Sequence, residues 1–161
     1  ADAIKAAVEL AARYITDRKL PCGFLHWGHD ISPDENQYEA GLNFAISYKK
    51  NKNFIGRDFL LKIKDKKLKK RLVMLCLKDS SPGKPLLLHD EPIYLDDKII
   101  GVTTSGNFSF NYNKNLSFGY IKSDLSNEEL LEENLYVEIE KNKYSAEILL
   151  KPLKQTDFKN L

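Results

Sequence analysis

The sequence has 161 residues, of which 42% are hydrophobic and 30% are charged, a composition that excludes a disordered chain and a membrane protein. No apolar run approaches the roughly 20 residues of a membrane span, and a formal net charge of +2 gives no indication of a nucleic-acid partner. Two cysteines without metal-ligand spacing indicate a reduced protein of the cytoplasm or a matrix-like compartment. We therefore expect a cytoplasmic globular protein that binds neither nucleic acid nor membrane.

The first part of the chain combines a helical period with a long irregular stretch. Residues 2–17 predict a helix, because apolar residues recur every three or four positions along one face. Residues 18–43 are interrupted by glycines and prolines and predict a long loop, which is uncommon in a compact domain and often functional. A strand at 44–48 and a helix at 56–66 are predicted to follow.

The hydrophobic period changes from 3.6 to 2 after residue 70. Asp96-Asp97 and Lys141-Asn142 separate pairs of alternating segments and indicate short hairpin connections. Several short antiparallel strands are typical of a small barrel or sandwich. We predict an α+β fold, in which a short helical and irregular N-terminal part is followed by a small antiparallel β-barrel. The predicted strands are 71–78, 92–95, 98–104, 107–112, 116–122, 135–140 and 143–150.

Two groups of residues could have a chemical function, but each can also be explained by a structural role alone. Seven basic residues within 62–71 could form a phosphate or polyanion patch, or a solvated helix end that complements the helix dipole. We favour the helix end, because the run lacks interleaved aromatics. His26 and His29 would need a helix to converge on a metal, and Gly28 argues against one. Both imidazoles could instead satisfy buried backbone groups, and we predict no metal site.

No catalytic set is recognisable in the sequence. There is no Ser-His-Asp arrangement and no glycine-rich phosphate loop, and residues 101–106 predict a strand followed by a tight turn. We therefore assign no catalytic residue to this chain.

Several sequence blocks, in order, resemble the C-terminal half of the aminomethyltransferase (glycine cleavage T-protein) family. The Trp-Gly-His-Asp segment at 27–30 is most similar to the folate-binding region of dimethylglycine and sarcosine dehydrogenases. The Glu-Ala-Gly-Leu segment at 39–42 and the Thr-Ser-Gly segment at 104–106 also resemble family motifs. The resemblance covers roughly residues 20–153. Its blocks are residues 27–36, 38–45, 53–60, 69–73, 91–94, 104–109, 116–121 and 151–153.

The resemblance implies a protein that uses tetrahydrofolate. Family members transfer a one-carbon unit from a methylated or aminomethylated amine to folate, and FAD is implied only if a separate oxidase domain exists. The acid/base aspartate of the family and most of its folate-ring contacts lie in an N-terminal part of the module, which we expect to be absent from this chain. The expected partner is therefore the N-terminal half of the same module or a flavin domain.

The resemblance also suggests two binding residues and two loop residues. Phe24 and Phe44 match aromatic positions of the family and are expected to line one wall of the folate site, where they could stack on a flat ring. Alternatively, both are core aromatics. Asp30 and Glu39 are expected to hold the long loop together by hydrogen bonds to backbone N–H groups rather than to touch substrate.

These observations together predict the organisation and function. We expect residues 1–66 to be the C-terminal part of a folate-binding domain and residues 67–161 to be an antiparallel β-barrel domain. The predicted function is that of the C-terminal part of a tetrahydrofolate-dependent aminomethyltransferase or methylated-amine dehydrogenase module, for dimethylglycine or sarcosine, that is inactive alone. The alternative is a non-catalytic, stand-alone barrel that serves as an accessory or partner-binding protein. Pro21, which stands where the family has Glu, would fit this alternative.

Overall fold

The computed structural model describes residues 23–49, 53–110 and 112–149, and the helix predicted over 2–17 lies outside them. Among the described residues, no helix combines the length and the apolar character that a membrane span requires. A 3-10 helix is formed by Asn43–Ala45, and the α-helices are α1 (Arg57–Ile63) and α2 (Asn127–Glu132). The strands are β1 (Arg71–Leu77), β2 (Pro92–Leu95), β3 (Lys98–Ser109), β4 (Lys114–Ile121), β5 (Leu135–Ile139) and β6 (Asn142–Leu149).

The strands form a closed antiparallel barrel in the order β1-β4-β3-β2-β5-β6. β1 closes the barrel, because Met74 lies opposite Phe118 of β4 on one side and opposite Leu149 of β6 on the other. The β5–β6 turn places Glu140 and Lys141 at positive φ, which suits the right-handed twist of a two-residue hairpin. The predicted fold class, with an antiparallel barrel after a helical and irregular part, is confirmed.

Apolar side chains are buried on both faces of β1. Because successive residues of a strand point to opposite faces, Leu75 lies in the interior cluster while Met74 and Cys76 lie in a second, outer cluster. Cys76 is buried, and this burial raises the pKa of its thiol. The outer cluster also contains Leu116 and Phe118. The interior cluster has buried side chains from every strand, among them Leu75, Ile93, Ile100, Ile121, Val137 and Ile148.

The predicted break between two strands at residues 105–106 is wrong. β3 runs without interruption through this region, with a bulge between Thr103 and Ser105 where it pairs with β4. Gly106 lies within the strand, and a Cβ there would stand 2.5 Å from Cγ of Leu87. The glycine is therefore required by close packing rather than by a turn.

Two helical elements differ from the sequence prediction. The strand predicted at 44–48 is wrong, because local hydrogen bonds from the N–H of Ala45 to Leu42 and of Ile46 to Asn43 form a 3-10 turn there. α2 was not predicted, although Ser126 and Glu129 have the spacing of a capping box. α1 ends at Ile63, so the interpretation of the whole basic run as a helix end is also wrong: only Lys62 lies in the last turn.

Candidate functional site

A loop over residues 23–49 is fastened to the barrel by Asp30. The side chain of Asp30 is fully buried, and its Oδ1 accepts hydrogen bonds from Oγ1 of Thr104 at 2.7 Å and Oγ of Ser105 at 2.5 Å. Its Oδ2 accepts the N–H of His26 at 2.7 Å, and its carbonyl accepts the hydroxyl of Tyr120 at 2.9 Å. Asp30 therefore connects the loop to the β3 bulge and to β4, as a buried carboxylate must be hydrogen-bonded.

A second hydrogen-bond network, centred on Glu39, connects the loop to the barrel. Oε2 of Glu39 accepts the N–H of Asn36 at 3.1 Å, and Oδ1 of Asn36 accepts the N–H groups of Tyr38 and Glu39. The carbonyl of Glu39 accepts the N–H of Leu72 at 2.8 Å, which ties the loop to β1. The prediction that Asp30 and Glu39 hold the loop through hydrogen bonds to backbone N–H groups is confirmed.

An ion pair adds a third connection between loop and barrel. Nζ of Lys70 lies 2.5 Å from Oε1 of Glu35, and Ser32 donates its N–H and its hydroxyl to Oε2 of the same carboxylate. Burial alone would raise the pKa of Glu35, but the hydrogen bonds from Lys70 and Ser32 outweigh it and hold that pKa below its usual value. The carboxylate is therefore ionised at neutral pH.

The loop and the outer face of the barrel enclose a cavity of about 880 Å³. Its floor is the outer apolar face of β1, β4 and β6, with Leu72, Met74, Phe118 and Leu149. These four residues were not singled out from the sequence. The continuous apolar run at 72–77 was a usable signal, since it indicates a strand that is buried on both faces.

Phe24 and Phe44 line this cavity, and both are exposed. Phe24 is 64% exposed and Phe44 is 82% exposed, so the alternative that they are core aromatics is wrong. Phe44 lies in the 3-10 helix, whose tight turn directs the chain along the cavity. The structure thus places both predicted residues at one cavity. Their role in ligand binding remains a prediction.

Basic residues predominate among the polar side chains of the cavity. Lys64, Lys66 and Arg71 line it, and Glu39 is the one carboxylate among its lining residues within the described part of the chain. Tyr38 is also in the lining, with its hydroxyl 2.5 Å from that of Tyr48. Loss of hydration and this hydrogen bond raise the pKa of Tyr38 to about 12. The site can therefore attract a ligand that combines a flat apolar part with negative charge.

The histidines do not build a metal centre. The ring centroids of His26 and His29 are 4.9 Å apart, and those of His29 and His89 are 6.5 Å apart. All three side chains are exposed. That the imidazoles of His26 and His29 satisfy buried backbone groups stays a prediction. In the ranges 23–49, 53–110 and 112–149, no group of three potential ligands is arranged to hold a metal ion.

Comparisons with known proteins identify relatives of this architecture. The family model of the glycine cleavage T-protein C-terminal barrel domain matches residues 70–154. Mitochondrial dimethylglycine dehydrogenase from Rattus norvegicus is 36% identical over 141 residues, which are 86% of this chain and 16% of that protein. An aminomethyltransferase from Synechococcus elongatus is 33% identical over 126 residues, which are 78% of this chain and 32% of that protein.

The fold has a counterpart among solved structures. The crystal structure of the glycine cleavage system aminomethyltransferase T from Bartonella henselae matches with a TM-score of 0.73 at 20% identity, over 86% of this chain and 37% of that chain. The chain thus spans 16% of the length of the dehydrogenase and 32% of the length of the Synechococcus aminomethyltransferase. The resemblance inferred from the sequence blocks is confirmed by these matches.

Proposed function

Because the chain belongs to the glycine cleavage T-protein C-terminal barrel family, we propose that it is the C-terminal part of a tetrahydrofolate-dependent one-carbon-transfer module. The observation that carries this proposal is the cavity between the loop and the barrel, with the exposed rings of Phe24 and Phe44 in its wall. Relatives with this barrel are named aminomethyltransferase and dimethylglycine dehydrogenase. By analogy with these relatives, the one-carbon unit comes from a methylated or an aminomethylated amine.

Tetrahydrofolate fits the chemistry of the cavity. A volume of about 880 Å³ lies within the roughly 300–1,000 Å³ of small-molecule sites, which are lined mainly by apolar and aromatic groups. Phe24 and Phe44 would hold the flat ring system by stacking. Lys64 and Lys66, which also line the cavity, would face the carboxylates of the molecule.

The residues of this chain bind and orient rather than transfer protons. When bound, tetrahydrofolate supplies the nitrogen that accepts the one-carbon unit. Glu39 already accepts a backbone N–H, so its carboxylate is part of the loop structure rather than a general acid or base. The loop lies beside the apolar floor and forms one wall of the cavity. The acid/base group, and with it the activity, is supplied by the N-terminal half of the module or by a flavin domain.

Isothermal titration of the chain with tetrahydrofolate tests the proposal. We expect binding, and we expect Phe24→Ala and Phe44→Ala each to weaken it by about 2- to 10-fold, which corresponds to the loss of one aromatic contact. Phe59→Ala is the matched control, because Phe59 is 60% exposed on α1 and lies outside the lining of the cavity. This control variant should bind like the wild type.

Two results would contradict the proposal. One is the absence of binding both by the chain alone and after addition of the N-terminal half of an aminomethyltransferase relative. The other is an equal loss of affinity in Phe59→Ala, which would place the ligand elsewhere. The first result favours the alternative function, a non-catalytic barrel that binds a partner protein.

A further inference from the structure

We propose that segment 54–69 carries a docking surface for an anionic lipid membrane, with apolar side chains that enter the lipid and lysines that bind its headgroups. We define this docking surface by Ile55, Phe59, Leu61, Lys62 and Lys69. None of them is among the residues that line the cavity, so the proposal is independent of the proposed function. The expectation that the chain binds no membrane rests on the absence of a long apolar run, which binding at a membrane surface does not require.

The turn before α1 presents an apolar side chain to solvent. The N–H of Arg57 donates to the carbonyl of Phe54 at 3.2 Å, and Gly56 has a φ of 87°, which favours glycine. Ile55 stands within this turn and is fully exposed. The ring of Phe54, in contrast, lies 6.5 Å from that of Tyr48. Ile55 is therefore an uncovered apolar residue held in a tight turn.

α1 continues the apolar surface that begins at this turn. Leu60 is buried and Ile63 is half-buried, so they mark the side of the helix that packs on the rest of the chain. Phe59 and Leu61 remain exposed, about one helical turn after Ile55. Single exposed apolar residues are common on soluble proteins, whereas several adjoining ones mark a surface that contacts a protein or a membrane.

The end of α1 and the residues after it are densely basic. Residues 62–70 contain six lysines and one carboxylate, that of Asp65. Lys62 follows Phe59 by three residues on α1, so the ammonium group and the ring lie on the same side of the helix. Lys62 and Lys69 are exposed, and neither forms an ion pair with another residue in the described ranges. Both are available to an external anion.

This combination of residue types favours a lipid surface over other anionic partners. The cores of protein–protein interfaces are depleted of lysine, which is the commonest residue of 62–70. Single-stranded nucleic acids bind by stacking on aromatic rings, a contact that Ile55 and Leu61 cannot make. Segments that lie on membranes instead combine lysines with phenylalanine and aliphatic side chains, and anionic headgroups attract the lysines.

Co-sedimentation of the chain with lipid vesicles tests the proposal. We expect binding to equimolar phosphatidylcholine and phosphatidylserine, and binding at least about 10-fold weaker to phosphatidylcholine alone, because a neutral surface does not attract lysines. Rising salt should weaken the binding by screening. Ile55→Ser and Phe59→Ser should each weaken it by about 3- to 10-fold, and Lys62→Gln/Lys69→Gln by about 5- to 25-fold.

Matched controls separate the docking surface from a general effect of charge or of apolar exposure. Leu131→Ser changes an exposed apolar residue of α2. Lys78→Gln/Lys141→Gln removes the same charge at exposed positions outside segment 54–69. Both controls should bind vesicles like the wild type. Because all the substituted side chains are exposed, circular dichroism should show an unchanged fold in every variant.

Three results would overturn the proposal. The first is no binding to the anionic vesicles at low salt, including the case in which the surface binds the N-terminal half of an aminomethyltransferase relative instead. The second is an equal loss of binding in the controls. The third is a loss in the lysine variant alone, which would indicate a general polyanion site that an oligonucleotide also occupies. The proposed function stands in all three cases, because it is tested with tetrahydrofolate at the cavity.

Discussion

At the scale of single residues, Asp30 is the group on which the loop most depends. Its carboxylate accepts hydrogen bonds from His26, Thr104 and Ser105. An amide at this position would offer a single acceptor oxygen, and its two N–H donors would face groups that are themselves donors. We expect Asp30→Asn to lower the free energy of unfolding by about 1–3 kcal/mol. Urea unfolding measures this loss. Asp34→Asn, at an exposed position of the same loop, should stay within about 0.5 kcal/mol, and a similar value for Asp30→Asn would contradict the anchoring role.

At the scale of single elements, α2 is a six-residue helix that depends on its N-terminal cap. Oγ of Ser126 accepts the N–H of Glu129, and the carboxylate of Glu129 accepts the N–H of Ser126. We expect Ser126→Ala to cost about 1 kcal/mol of stability, because the first turn then loses an acceptor. Thermal or urea unfolding measures the change, with the exposed Ser47→Ala as the control. Ser126→Asp should retain most of the stability, and a loss as large as that of alanine would argue against capping.

The same scale shows why some elements could be predicted and others could not. A period of 2 is a local property, so the strands that begin near Arg71, Pro92 and Leu135 were predicted within a few residues. The close approach of Leu87 to Gly106 depends on residues brought together by the barrel, and the sequence alone suggested a turn there. Segment 44–48 has strand-like composition, but a strand needs a neighbour with which to pair.

The candidate site, like the fold, could be predicted from the sequence only in part. Phe24 and Phe44 could be identified because they match family positions, and the structure places both at one cavity. The cavity floor could not be predicted, since it depends on the register in which Met74 of β1 meets Phe118 and Leu149. That register is set by pairing between residues far apart in the sequence, and hydrophobic periodicity does not predict which strands pair or in which register.

At the scale of the whole molecule, a single interior core contains side chains from the first strand of the barrel to the last. Leu135 is fully buried in that core, and β5 pairs with both β2 and β6. We expect Leu135→Ala to lower the free energy of unfolding by about 2–5 kcal/mol, because it leaves a cavity shared by several strands. Urea unfolding followed by circular dichroism and by tyrosine fluorescence should give coincident transitions. Leu131→Ala, at a 53% exposed position of α2, should cost under about 0.5 kcal/mol.

The closure between β1 and β6 has a mechanical consequence. The two strands are antiparallel neighbours, so the start of β1 and the described end of β6 lie at the same end of the barrel. A force applied across these two points would peel the hydrogen bonds apart one after another rather than shear them all at once. Among the described pairs, the first to separate would be Met74 and Leu149, which form part of the cavity floor. Under tension the described strands therefore part at the floor of the candidate site, and a molecule bound there would hold β1 and β6 together.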